Sequence, residues 1–277
     1  MPHALPALGI AHFTCIDLAP TKLARLAGQV GYKRIGLRLH PAFPGAPTYS
    51  VRAGSPEARD LLAILDGEGV ALYDVEFVVI DEDFRPETLE RMLADAAALG
   101  ASRLSVCGDD PDRSRLVANF AELCDRAAKH GLSIDLECMA WRRVDSLPAA
   151  VSVVEASGRP NCGVLVDALH LARGGGTPDT VSAIDPTRIR HVQLCDARRE
   201  KPDTPEGLIA EARAGRLFPG AGHLPLRALL ASLPEHAVLS VEVPMDGSRR
   251  ANEHALAAFD AAMALITEAE GLPAFDP

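Results

Sequence analysis

The sequence predicts a single (β/α)8 TIM barrel, an α/β fold of eight parallel strands alternating with helices. Three observations carry this expectation. Eight short apolar runs are separated by segments of helical period. The first run lacks the glycine-rich turn expected of a doubly wound open sheet, the main rival. No composition shift or linker interrupts the chain, so residues 1–277 read as one domain.

The elements follow in order. GIAHF (9–13) is the first strand, and Leu23, Leu26, Ala27 and Val30 then recur at helical spacing. RIGLRL (34–39) leads into a long Pro- and Gly-rich connection, HPAFPGAPTYSVRAGSP. ALYDVEFVV (71–79) precedes a helix marked by Leu89, Met92, Leu93, Ala96 and Ala97. RLSVCG (103–108) precedes Phe120, Leu123, Cys124 and Ala127. Gly100 and Gly131 stand where helix-ending glycines belong. SIDLECM (133–139), GVLVDAL (163–169), HVQLCDA (191–197) and AVLSVEV (237–243) complete the strands. The seventh leads into a second long connection, RREKPDTPEGLIAEARAGRLFPGAGHLPL. Leu256, Phe259, Met263 and Ile266 mark a last helix. In a barrel both long connections lie on the C-terminal face and are candidate lids.

Composition narrows the function classes. The chain is 48% hydrophobic, with a formal charge of −10. An acidic surface offers no general attraction to nucleic acid or anionic membrane. Six cysteines without a CxxC pair read as buried free thiols in a reducing compartment. The start, MPHALPALGIAHF, lacks the pattern of a secretory signal, and no apolar run has membrane-spanning length. A cytoplasmic protein is expected. Oligomeric state is open; the tail GLPAFDP is a candidate for docking on a second subunit in a homo-oligomer.

Four successive strands carry a polar residue near their C-terminal ends: Glu137, Asp167, Gln193 and Glu242. In a barrel these ends converge on one patch. Three carboxylates there repel one another unless a cation joins them or their pKa values rise. With the Gln193 carbonyl they form an all-oxygen donor set, which favours Mg²⁺ or Mn²⁺ over Zn²⁺ or Co²⁺. The Gln193 amide N–H₂ is then free for an acceptor outside the ligand set. Read singly, each has a plainer role: Glu137 or Glu242 as a salt-bridge partner, Gln193 as a satisfied core amide. His191 shares a face with Gln193 but lies deeper, and reads as a hydrogen-bonded core histidine.

Glu137, DALH at 167–170, HVQLCDA and Glu242 in VEVP together resemble the xylose isomerase-like TIM-barrel superfamily, which includes sugar isomerases and epimerases and the abasic-site endonucleases. The resemblance covers nearly the whole chain, with its specific motifs in the second half. It implies one divalent metal on Glu137, Asp167, the strand-seven residue and Glu242. Gln193 stands where the family often has histidine; metal-dependent dehydratases of the superfamily, among them 3-dehydroshikimate dehydratases, resemble this chain in that respect. The resemblance also implies that His170 is an acid/base group at the substrate and that Arg216, in AGRLFPGAG, contacts substrate oxygens. Ala221 replaces the glutamate usual in that segment.

The leading expectation is a metal-dependent isomerase or epimerase acting on a sugar-like hydroxy-carbonyl compound through an enediolate, with Glu137 and Glu242 as bases. The alternative is a lyase that dehydrates a dehydroshikimate- or keto-inositol-type substrate, with a cyclic keto acid among its candidates. Trp141, Arg38 and His12 are further candidates for substrate binding, with His40, Glu76 and Cys107 also near strand ends. A DNA-repair nuclease is disfavoured, since strands three and four offer Glu76 and Cys107 where such relatives carry extra histidines. A non-catalytic metabolite-binding barrel has no need of paired glutamates. His130, His236 and His254 read as surface residues.

Overall fold

A computed structural model describes residues 7–269. The tail GLPAFDP lies outside the described residues. Eight parallel strands close in sequence order: β1 (Leu8–Ile10), β2 (Arg34–Arg38), β3 (Ala71–Ile80), β4 (Arg103–Gly108), β5 (Ser133–Glu137), β6 (Cys162–Asp167), β7 (Ile189–Leu194) and β8 (Val238–Val241), with β8 pairing back to β1. The helices are α1 (Pro20–Val30), α2 (Pro56–Glu68), α3 (Glu90–Ala98), α4 (Arg113–Ala128), α5 (Leu147–Ser157), α6 (Ala168–Arg173), α7 (Pro178–Ser182), α8 (Pro205–Ala214), α9 (Leu226–Ala231) and α10 (Ala251–Ala269). None of the described helices is long and apolar enough to cross a membrane.

Local chemistry sets many of the ends. Pro occupies the first turn of α1, α2, α5, α7 and α8, where its missing N–H goes unneeded. Asp112 caps α4 through its carboxylate, and Gly100 and Gly131 follow α3 and α4 at φ +90° and +73°, as expected. The predicted apolar faces of α1 and α4 are buried apart from half-buried Val30. In α10, Leu256 is exposed instead, because small Ala255, Ala258 and Ala262 form the packed face with Met263 and Ile266. His254 is also buried, not on the surface; its Nε2 lies 2.7 Å from the Val243 carbonyl oxygen.

The barrel interior is polar in two layers. Side chains on one strand repeat their direction every second residue. Glu76, Glu137, Gln193 and Glu242 therefore sit one layer above Asp74, Asp135, His191 and Ser240, and all eight are buried. In the lower layer Arg103 makes a bidentate ion pair with Asp135, and His191 Nε2 lies 2.9 Å from Ser240 Oγ. Burial and then Arg103 push the His191 imidazole down to about 3, so it is neutral. It is the core histidine expected of it.

Arg103→Met strands the buried Asp135 carboxylate and is expected to cost about 3–5 kcal/mol in denaturant unfolding. The double variant Arg103→Met/Asp135→Leu should recover most of the loss; equal stability of the single variant and the native chain would contradict the layer's role.

Candidate active site

Strand geometry brings the four predicted ligands together. Glu137 and Asp167 are the last residues of β5 and β6, Gln193 is the penultimate residue of β7, and Glu242 follows β8 directly. Asp167 also caps α6: its Oδ1 accepts from the His170 N–H at 2.9 Å. That cap fixes His170 above the carboxylates, with Nε2 3.8 Å from Glu137 Oε1. One ligand atom each from Glu137, Asp167 and His170 lies within 4.8 Å of the others.

Arg216, just beyond α8, enters this cluster. It donates from Nη1 to Asp167 Oδ2 at 2.5 Å, and its Nη2 lies 3.0 Å from Glu242 Oε2. It thus holds two carboxylates besides lining the cavity above them. Gln193 Nε2 donates to Glu242 Oε1 at 3.1 Å. The amide's partner is therefore a carboxylate of the cluster itself and not an acceptor outside it. A guanidinium can only donate. At its 3.4 Å contact with Arg216 Nη2, His170 Nε2 is the acceptor and the ring proton sits on Nδ1, which is buried without a partner.

Charge sets the protonation of the cluster. Burial and then Asp167 and Glu242 push the Glu137 carboxyl well above the usual carboxylate range. Burial, opposed by Arg216, brings Glu242 up to about 7. Burial also works against ionised Asp167, but Arg216 and His170 override it and hold the group low. Burial lowers His170 to about 4. Ionised together, the three carboxylates leave two negative charges uncompensated by one guanidinium, and the oxygen donors are hard. The residues present fit a divalent cation.

Above the cluster is a cavity of about 190 Å³. Glu137, His170, Arg216, Glu242, Trp141 and Arg38 all line it. Trp141 packs edge-on against His170, with ring centroids 5.0 Å apart. His12 does not line the cavity. Its Nδ1 accepts from the Arg38 backbone N–H at 2.9 Å, so Nε2 carries the proton toward the Leu18 carbonyl. His12 thus holds the end of β2 in place. Glu76 sits beside it, accepting from the His12 and Phe13 N–H groups. Gly36 makes room for that carboxylate: a Cβ there would fall 2.1 Å from Glu76 Oε1. Cys107 is buried, and His40 is only half-buried.

Sequence reasoning missed Phe13, Phe77, Arg142 and Arg213, which also line the cavity. Arg213 lies 4.5 Å above the Phe43 ring and so joins the two long connections across the mouth. Helical periodicity marks Arg213 as solvent-facing and carries no signal for that contact.

A model of the xylose isomerase-like TIM barrel matches residues 24–268. The chain belongs to that family. It is 30% identical over 162 residues to a 3-dehydroshikimate dehydratase of Pseudomonas putida, a match of 55% of this chain and 25% of that protein. It is 30% identical over 129 residues to an inosose isomerase of Bacillus velezensis, covering 45% of this chain and 44% of that one. The chain therefore spans a quarter of the dehydratase and under half of the isomerase. The IolI protein, solved with a bound zinc atom, superimposes with a TM-score of 0.76 at 20% identity, over 95% of this chain and 98% of that one. That likeness shows the fold.

Raised carboxyl groups make cation-free protein sensitive to pH. Glu242 binds its proton more tightly folded than unfolded between its ordinary 4.5 and about 7. Its contribution is present below about 4.5 and lost as pH rises through about 7. Chelator-treated protein should therefore lose melting temperature from pH 5 to pH 8 more steeply than a Glu242→Gln variant; parallel curves would contradict this.

Proposed function

We propose that the chain is a divalent-metal-dependent lyase. It would remove a proton from the carbon beside a carbonyl of a small hydroxylated ring and release the neighbouring hydroxyl as water. The observation that carries the reading is His170, held 3.8 Å from Glu137 in one cavity above an acidic floor that includes a glutamine from β7. A base and a second proton-handling group thus face the same substrate volume. The matches to 3-dehydroshikimate dehydratases from two Pseudomonas species support the dehydratase over the isomerase.

Glu137, Asp167, Gln193 and Glu242 would hold the metal, which when bound supplies Lewis-acid polarisation of the substrate carbonyl. Glu137 accepts the proton from carbon. The proton taken by Glu137 passes through His170 Nε2, 3.8 Å away, to the departing hydroxyl, so water leaves, the ring gains a double bond and both groups return to their starting state. Arg216 keeps Asp167 charged, opposes the burial that raises Glu242, and holds both in place. Trp141, Phe13 and Phe77 provide apolar walls that limit water.

One observation favours isomerisation or epimerisation as a second reading: Glu137 and Glu242 both line the cavity. Two carboxylates there offer one group to take a proton and another to return it. The match to an inosose isomerase supports that reading.

Incubation of Mn²⁺-loaded protein with 3-dehydroshikimate, and separately with inosose, in D₂O separates the readings. Dehydration appears by mass spectrometry as loss of water with a new conjugated chromophore. Isomerisation keeps the mass apart from incorporated deuterium, and that result alone would overturn the lyase reading. Glu137→Gln and His170→Asn should each lower kcat by about 10²–10⁴-fold; turnover by Glu137→Gln within about tenfold of native would sink the assigned base.

A further inference from the structure

We propose that Arg38 seats a carboxylate of the substrate, so that the cavity selects a small hydroxy-keto acid over a neutral polyhydroxy ketone. The inference rests on the reading of this cavity as the substrate site. Arg38 is the last residue of β2, 4% exposed, and lines the cavity beside Glu137, His170 and Arg216. Its guanidinium lies between two aromatic rings, 5.3 Å from the Phe13 centroid and 5.1 Å from that of Phe77. Its ionic contact is a single long one, Nη2 to Glu76 Oε2 at 3.4 Å, and its Nε is buried without a partner. Arg216 and Arg103 are committed to carboxylates, Arg216 to Asp167 and Glu242 and Arg103 to Asp135. Arg142 holds Asp109 at 2.6 Å although its Nε is also unpartnered, and Arg213 lies exposed over the Phe43 ring at the mouth.

Glu76 does not saturate Arg38, because its carboxylate also accepts two backbone N–H groups, at 2.7 Å and 3.3 Å. The guanidinium is thus held rigidly by its aromatic neighbours and by the His12-anchored strand end, with donors to spare in a nearly dry site. Such a fork matches a carboxylate, and the surrounding low polarity strengthens the pairing.

The oxyanion is a carboxylate and not a phosphate for a second structural reason. Barrels that bind phosphate often use backbone N–H groups of the loops after the seventh and eighth strands. Here the loop after β7 is already filled. Asp196 accepts from Gly220 and Gly222 on Oδ2, at 3.1 and 2.9 Å, and from Leu224 and Ala197 on Oδ1, at 2.9 and 2.8 Å. Those amides are not open to a ligand.

Calorimetric titration with shikimate, a ring carboxylate, against its uncharged methyl ester tests the proposal; fructose 6-phosphate serves as the phosphate probe. Native protein should bind the acid about tenfold or more tightly than the ester. Arg38→Met should bring the two within about twofold, Arg38→Lys should keep part of the preference, and both should retain native melting temperature and Mn²⁺ content. Equal binding of acid and ester by native protein, or an unchanged preference in Arg38→Met, would overturn the proposal. So would tighter binding of fructose 6-phosphate than of shikimate. The titration reads binding alone: absence of dehydration leaves the Arg38 assignment standing, and dehydration without carboxylate preference removes it.

Discussion

Three carboxylates crowded at the ends of β5, β6 and β8, with a neutral glutamine on β7 between the last two, are the constraint on which the site depends. Glu137, Asp167 and Glu242 are all buried and act electrostatically on one another, and a low-dielectric interior magnifies their repulsion. The fold answers with one guanidinium. Arg216 is brought from the long connection after β7 and inserted between Asp167 and Glu242. Its Nε donates to the Ala212 carbonyl at the end of α8, which ties the position of that helix to the charge balance of the barrel mouth. Burial first, and then the neighbouring carboxylates, raise the Glu137 and Glu242 carboxyl groups, and a divalent cation would relieve both effects.

The same logic extends downward. A second polar layer lies two residues deeper on β3, β5, β7 and β8, where Arg103 neutralises Asp135 and neutral His191 meets Ser240. Asp74 is met by the Ser105 hydroxyl, which donates to its Oδ2 at 3.4 Å, and not by a guanidinium, and burial followed by Glu76 and Asp135 pushes its carboxyl well above the ordinary range. A barrel filled this way trades some apolar packing for fixed dipoles and charges beneath the mouth. Such buried networks hold only when nearly every member is partnered. Around the cavity Arg38 Nε, Arg142 Nε and His170 Nδ1 are buried without a partner.

The barrel was legible because alternation of apolar runs and helical periods is a local property of the chain. The polar ring at the barrel mouth was legible because a polar residue at the end of a buried strand needs an explanation, and four in succession share one. The partners were not. Nothing in AGRLFPGAG says that Arg216 reaches 49 positions back to Asp167. His12 looked like a site residue because it ends a strand. Only the fold shows that both its ring nitrogens are taken by backbone groups. His254 likewise looked exposed on a helix until Val243 was placed against it. Contacts made across the barrel are set by closure and by loop paths, and these leave no periodic trace in sequence.

Metal stoichiometry is the measurement closest to the central claim. Protein purified without chelating tags and equilibrated with Mn²⁺ should hold ~1 ion per chain, the usual complement of one ligand set of this size. A Glu137→Ala/Gln193→Ala variant that keeps the native melting profile at low pH should hold none. A native chain that binds no divalent ion, with Arg216 alone balancing the carboxylates, would contradict the account and reduce Gln193 to a core amide that anchors Glu242.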